Sequence, residues 1–251
     1  MELPEPGNLA FAATQEQYHL SLFTRLIRRI MRPIFRAFFH LLMRVKLSGL
    51  ENIPPKGPYL IAINHVSLYD PPFILAFWPV APEAAGAADI WDRPGISTLA
   101  RLYGGIPVHR GQYDRKLIDT MVAVLAAGRP LLIAPEGTRS HGPGMNRALP
   151  GVVFVTDRAR VPVIPVGIVG TTEDLISQAF KFKRPTIEMR VGQALMLPPL
   201  EGRGEQRRWM RQAQVDEIML RIAEVLPAEY RGVYGEKINR LSQAPNDPDP
   251  A

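Results

Sequence analysis

The stretch Asn64-His65-Val66-Ser67-Leu68-Tyr69-Asp70 sets a histidine five residues ahead of an aspartate, directly after the apolar run 59–63. At a strand exit, that spacing lets the chain fold back until the Asp70 carboxylate meets one ring nitrogen of His65, leaving the other free. The result is a base with an orienter: the aspartate selects the tautomer and stabilises the imidazolium once a proton is taken. A hydroxyl nucleophile needs such a base, because an alcohol is a poor nucleophile at neutral pH. The base is worth roughly 10²–10⁴-fold in rate. Asn64, Ser67 and Asp70 are also helix-capping types and Pro71 suits a first helical turn, so the same residues fit the start of a helix.

Two further polar clusters follow apolar runs. In Gly104-Gly105-Ile106-Pro107-Val108-His109-Arg110, the glycines permit a tight turn and the planar guanidinium of Arg110 suits a phosphate dianion. An exposed arginine at a strand end would look the same. In Pro135-Glu136-Gly137-Thr138-Arg139-Ser140, two charged residues flank a glycine at the exit of the buried run 130–134. Such charges are costly unless paired or ligand-bound. Arg139 is a second phosphate candidate, and Glu136 could hold it or accept a hydrogen bond from a hydroxyl acceptor. An internal ion pair closing the turn fits too. A fourth stretch, 161–167 (VPVIPVG), has no catalytic group and reads as a core strand able to wall an apolar tunnel.

Several chemistries are missing from the sequence. There is no cysteine, hence no disulfide, thiolate ligand or cysteine nucleophile. No GxSxG elbow, phosphate-binding P-loop, dinucleotide fingerprint or HExxH pattern occurs, and no metal site is expected.

These clusters need a frame. Strand patterns at 59–63, 106–109, 130–134, 163–169 and 186–191 alternate with helical patterns at 71–77, 114–127, 152–159 and 206–225. Asp114 is the expected cap and Gly128 the terminator of the second helix. Alternation of this kind implies an α/β fold with a mostly parallel central sheet flanked by helices. Ligand sites in such sheets gather beyond the carboxyl ends of the strands, where all three polar clusters fall.

The charge is uneven. The chain carries 30 bases and 24 acids, yet residues 18–46 hold seven bases and no acid, leaving 23 against 24 elsewhere. Within that segment Leu20, Phe23, Leu26, Ile27, Ile30 and Ile34 recur at spacings of three and four, with arginines between them. This predicts an amphipathic helix pair broken at Pro33, lying on a membrane surface with its arginines at anionic headgroups. Consecutive bulky residues such as Phe38-Phe39 suit acyl chains rather than nucleic acid. No uncharged run approaches the roughly 20 residues that a spanning helix requires. Residues 1–17 read as a flexible N-terminus without signal-peptide character, and 242–251 as a disordered tail.

Taken together, NHVSLYD, GGIPVHRG, PEGTRS and VPVIPV, with the lead-in GLENIPPKGPYLIAINH, resemble the ordered blocks of the glycerolipid acyltransferase superfamily. The likeness is strongest to its bacterial 1-acyl-glycerol-3-phosphate acyltransferases and covers residues 47–192. The resemblance implies that His65 is the general base and Asp70 its partner, supported by Asn64 and Ser67. It implies acceptor contacts from Arg110, Glu136, Gly137, Thr138 and Arg139, and an acyl-binding wall at Val161, Pro162, Ile164 and Pro165. It also implies an α/β domain over 47–241, preceded by the membrane helices at 18–46. The expected reaction moves a fatty acyl group from acyl-CoA or acyl carrier protein to the free hydroxyl of lysophosphatidic acid, giving phosphatidic acid without a cofactor. Another lysophospholipid or a lyso-ornithine lipid is the alternative acceptor; a non-catalytic membrane-binding protein is the remaining one. The expected location is peripheral or monotopic, on the cytoplasmic face of the cell membrane. Ala134 stands where the family commonly has an aromatic residue, which widens the expected pocket beside Glu136.

Overall fold

A computed structural model of the chain describes residues 18–111 and 114–243. The flexible start expected at 1–17 lies outside these residues. So does most of the expected tail, although Ser242 and Gln243 complete the last helix instead.

Seven strands form one sheet: β1 (Arg44–Ser48), β2 (Leu60–Ile63), β3 (Glu83–Ala87), β4 (Ile106–Val108), β5 (Leu131–Ile133), β6 (Val163–Val169) and β7 (Thr186–Val191), in the spatial order β1-β7-β6-β2-β5-β3-β4. Only the β6–β7 pairing is antiparallel. The carboxyl ends of β2, β3, β4, β5 and β6 therefore lie along one edge.

The helices are α1 (Leu22–Leu42), α2 (Asp70–Phe77), α3 (Ile96–Tyr103), α4 (Arg115–Ala126), α5 (Gly151–Ala159), α6 (Leu175–Phe180), α7 (Gly204–Val225) and α8 (Gly235–Gln243). Their apolar faces make two cores, one on each side of the sheet. Leu60, Leu131 and Val163 turn toward α4, α5 and α7. Ile61, Leu132 and Ile164, one position along each strand, turn toward α1, α2 and α6. This is the period-two alternation of a strand buried on both faces, and it explains why these strands read as continuous apolar runs. Asp114 caps α4 as expected, its carboxylate accepting from the Leu117 amide at 3.0 Å.

The N-terminal region departs from expectation twice. Among the described residues the segment 18–46 holds one continuous helix, because α1 runs on through Pro33. A proline inside a helix costs about 3 kcal/mol, but here both halves are bound to the domain. Before Pro33, Arg32 donates to the Leu75 carbonyl at 2.9 Å; after it, Arg36 donates to the Ala76 carbonyl at 2.6 Å. Arg32 also reaches the Trp78 carbonyl. These are the last carbonyls of α2, unsatisfied within that helix and at its negative dipole end. The second departure is Arg44 and Lys46, which the charge count groups with the helix but which lie on β1, paired in parallel with β7.

Three arginines of α1 also face the domain rather than the headgroups expected for them. Arg28, only 2% exposed, makes a two-pronged contact with the Glu83 carboxylate at 2.7 and 2.5 Å, and donates to the Tyr103 carbonyl at 2.8 Å. Arg129 Nε reaches the same carboxylate at 2.5 Å and the Tyr18 hydroxyl donates to it at 2.8 Å. Burial by itself would push the Glu83 carboxyl up; the hydrogen bond and charge of Arg28, then the charge of Arg129, outweigh it and hold the carboxyl below its usual range. Meanwhile Leu22, Phe23, Leu26, Ile30, Ile34 and Leu41 are exposed, five of them by more than half. Three arginines at spacing four (28, 32, 36) grip the domain, and the apolar side chains at 22, 26, 30 and 34 point into solvent.

Replacing Arg28 with alanine leaves a buried carboxylate partly uncompensated. It should lower unfolding free energy by about 3–5 kcal/mol, read as a shift in the urea midpoint. Arg25→Ala and Arg29→Ala, at exposed positions of the same helix, should stay within about 0.5 kcal/mol of wild type.

Candidate active site

His65 follows β2 at once, so the parallel edge fixes where its backbone leaves the sheet. The buried Asn64 side chain prolongs the β2–β6 ladder: its amide donates to the Ile168 carbonyl at 3.0 Å, and its oxygen accepts from the Ile168 amide at 2.7 Å. The chain then turns into α2, with Asp70 as its first residue. The turn that starts the helix is also the one that delivers the aspartate to the histidine.

Asp70 has no solvent exposure. Its Oδ2 accepts from the Val66 and Ser67 amides at 2.7 and 2.8 Å and meets His65 Nδ1 at 2.8 Å. The Thr171 hydroxyl donates to Oδ1. A carboxyl oxygen already accepting two amide protons can only accept from the ring, so Nδ1 carries the hydrogen and Nε2 holds the lone pair. The His65 side chain is 12% exposed and borders a cavity of about 520 Å³.

The PEGTRS turn holds the backbone of His65 from both sides. Glu136 Oε1 accepts from the His65 amide at 2.8 Å, and the Ser140 amide donates to the His65 carbonyl at 2.8 Å. Glu136 Oε2 accepts from the Asn146 amide at 2.7 Å. Glu136 is 3% exposed and does not border the cavity, so both its oxygens are committed to the protein. It neither pairs with Arg139 nor faces the cavity. Gly137 makes the turn at φ 68, where a Cβ would stand 2.8 Å from Leu149 Cδ1; no larger residue fits without displacing that side chain.

The cavity runs between the ends of β2, β3, β4 and β5 and the helices α4 and α5. Its body is apolar, lined by Leu117, Met121, Leu132, Val152 and Phe154 among others; its mouth carries Arg93, His109, Arg110, Thr138, Arg139 and His141. Ala134 lines it as well. Arg110 is exposed, with no ion pair among the described residues. Arg139 Nη1 reaches Glu173 Oε1 at 3.1 Å, and His141 Nδ1 meets the same oxygen at 3.1 Å.

Four expected residues lie elsewhere. Val161, Pro162, Ile164 and Pro165 are buried but do not border the cavity. Strand β6 is central, with β2 on one side, β7 on the other and α7 packed over it, so its side chains are consumed in the two cores. The apolar wall comes instead from α4 and α5. The sequence reading passes over Thr171, although it lies two residues past the end of β6 and so obeys the same strand-exit rule as the other clusters.

Residues 44–169 match the family described as Acyltransferase. That span is half of the chain, and it contains the histidine, its carboxylate and the cavity. The chain belongs to the acyltransferase family. Among curated relatives, it is 29% identical over 174 residues to the 1-acyl-sn-glycerol-3-phosphate acyltransferase alpha of Mus musculus, covering 64% of this chain and 56% of that one. It is 34% identical over 125 residues to the lyso-ornithine lipid O-acyltransferase of Pseudomonas aeruginosa, covering 49% and 46%. The chain spans about half the length of the curated relatives it matches. Among solved structures, the 1-acyl-sn-glycerophosphate (LPA) acyltransferase PlsC from Thermotoga maritima superposes with a TM-score of 0.57 at 17% identity. The match covers 95% of this chain and 89% of that one, and shows that the α/β fold is shared.

Beside the cavity, burial pushes the Glu136 carboxyl up to about 7, against the pull of its two amide donors and of His65. A carboxyl that binds its proton more tightly when folded contributes stability that is complete below its ordinary value of 4.5 and lost as pH rises through about 7. Between about pH 5 and about pH 8, wild type should therefore lose as much as ~3 kcal/mol more unfolding free energy than Glu136→Gln. Urea titrations of both proteins at the two pH values measure the difference.

Proposed function

We propose that the protein is a membrane-associated O-acyltransferase that acylates the free hydroxyl of a lysophospholipid, with lysophosphatidic acid the acceptor its cavity mouth suits best. The observation that carries the proposal is the His65 ring, oriented through Nδ1 by a buried carboxylate and placed at the polar end of an apolar cavity. His65 Nε2 takes the proton of the acceptor hydroxyl, and the oxygen attacks the thioester carbonyl of acyl-CoA or acyl carrier protein. The tetrahedral intermediate collapses with cleavage of the carbon–sulfur bond, and the imidazolium protonates the departing thiolate. The exchange is redox-neutral, and both reacting groups come from the substrates. Asp70 holds the tautomer and offsets the imidazolium charge; Glu136 acts as a positioning residue, through the His65 backbone.

The acyl chain lies in the apolar body of the cavity and the acceptor phosphate at its cationic mouth, on Arg110 and Arg139. The lysolipid arrives from a bilayer that the exposed apolar row of α1 contacts. No helix among the described residues is long and apolar enough to cross a membrane, so this attachment is peripheral. One observation favours a second acceptor class: Glu173 already sits on Arg139 and His141. That carboxylate weakens the mouth for a dianion and would suit a headgroup carrying an amine, as in a lyso-ornithine lipid.

Thiol release from palmitoyl-CoA should depend on added lysophosphatidic acid and fall by roughly 10²–10⁴-fold in His65→Ala. Equal acceptor-dependent release from the variant would overturn the mechanism. Arg110→Ala combined with Arg139→Ala should raise the KM for lysophosphatidic acid by about 10–100-fold. An unchanged KM, with faster turnover of an aminated lysolipid, would move the acceptor to the second class. Thr171→Val should lower kcat by about tenfold at unchanged KM, since the hydroxyl touches Asp70 and not the substrate.

A further inference from the structure

The turn joining α6 to β7 has the sequence Phe180-Lys181-Phe182-Lys183-Arg184. Phe182 is 93% exposed and Phe180 70% exposed, the first being the most exposed large apolar side chain among the described residues. Residues 175–187 contain three cations and no acid. The backbone is left-handed at both Phe182 (φ 57) and Arg184 (φ 45), a region that bulky side chains avoid. Hydrogen bonds from the Phe182 amide to the Ala179 carbonyl at 2.9 Å, and from the Lys183 amide to the Gln178 carbonyl at 3.2 Å, hold that unfavourable conformation in place. A turn built only to connect two elements would hold glycine or asparagine at such positions. Here the chain keeps an aromatic ring pointed into water.

The turn is also continuous with α1. Arg184 donates to the His40 carbonyl in the last turn of that helix at 3.2 Å, and the Arg44 amide, just beyond it, donates to the Pro185 carbonyl at 2.9 Å. The exposed aromatics of the turn therefore adjoin the helix end that carries Leu41, 75% exposed. Exposed rings alternating with lysines are chemically suited to the boundary of an anionic bilayer, where the rings enter the acyl region and the ammonium groups stay at the phosphates. A contact between protein copies would more often deplete lysine.

We infer that residues 180–184 form a second membrane-docking element, which inserts Phe180 and Phe182 into an anionic lipid surface and, together with α1, fixes the tilt of the domain on it. The inference rests on the reading of α1 as a membrane contact. With two points of attachment instead of one helix, rotation of the domain about the helix axis is restricted, and the cavity mouth keeps a constant height above the lipid.

The test is co-sedimentation of the full chain with vesicles of phosphatidylglycerol and phosphatidylcholine, or of phosphatidylcholine alone. The variants are Phe180→Ser with Phe182→Ser, Lys181→Glu with Lys183→Glu, and Ile30→Glu with Ile34→Glu on α1. The lysine pair should weaken binding to anionic vesicles by roughly 30-fold and leave binding to phosphatidylcholine unchanged. The phenylalanine pair should weaken both by about tenfold or more. Unfolding midpoints of both turn variants should match wild type, because the altered side chains are exposed. Wild-type binding by both turn variants, alongside loss in the α1 variant, would overturn the inference and leave the membrane reading standing. No binding by wild type to either vesicle would overturn both. Self-association of wild type, abolished in the phenylalanine pair without any vesicle dependence, would make the turn a contact between copies and overturn the inference.

Discussion

A carboxylate taken wholly out of water has to be surrounded by donors, and the polar edge of this fold is arranged around that need at Asp70. Two amides from its own turn, the Thr171 hydroxyl and the His65 ring converge on it. Each donor comes with an element attached: the turn fixes the start of α2, Thr171 the end of β6, and His65 the end of β2. The same contacts that make the buried charge tolerable thus align a helix and two strands. They also set the histidine tautomer, so the burial of the charge and the orientation of the ring share one set of hydrogen bonds.

Glu136 belongs to the same logic at one remove. The resemblance to glycerolipid acyltransferases points to an acceptor contact at this residue, whereas its two oxygens are occupied by the amides of His65 and Asn146. With the Ser140 amide on the His65 carbonyl, the backbone of His65 is clamped before and after its α-carbon. What remains of the PEGTRS block for the cavity is Pro135, Gly137, Thr138 and Arg139.

A second buried carboxylate organises the opposite end of the molecule. Glu83 opens β3 and receives Arg28 from α1, Arg129 from the loop before β5, and Tyr18. Because Ala85, Gly86 and Ala87 of the same strand line the cavity, the helix with the exposed apolar row is tied by an ion pair to a wall of the site. Arginines in an amphipathic helix ordinarily suggest contact with anionic headgroups. In α1 three of them are consumed holding the helix down, and Arg25 and Arg29 stay exposed beside the outward apolar row.

The sequence alone determined five of the strands and four of the helices between 59 and 225, the mostly parallel sheet, and the histidine with its carboxylate. Each of these depends on local spacing: apolar runs of four to seven residues, a proline after a cap, a base and an acid within one turn. Tertiary structure decided which way amphipathic elements face. An apolar row and a basic row on one helix fit a domain and a membrane in either arrangement, and only Glu83 and the α2 carbonyls, 40 or more residues away, select one. The short strands β1 and β3 escaped notice because an edge strand with alternate exposed bases and an alanine-glycine run carry no strong periodicity of their own. The same dependence on distant partners explains the VPVIPV block. Its apolar residues could wall a tunnel or fill a core, and the placement of β6 between β2 and β7 under α7 assigned them to the core.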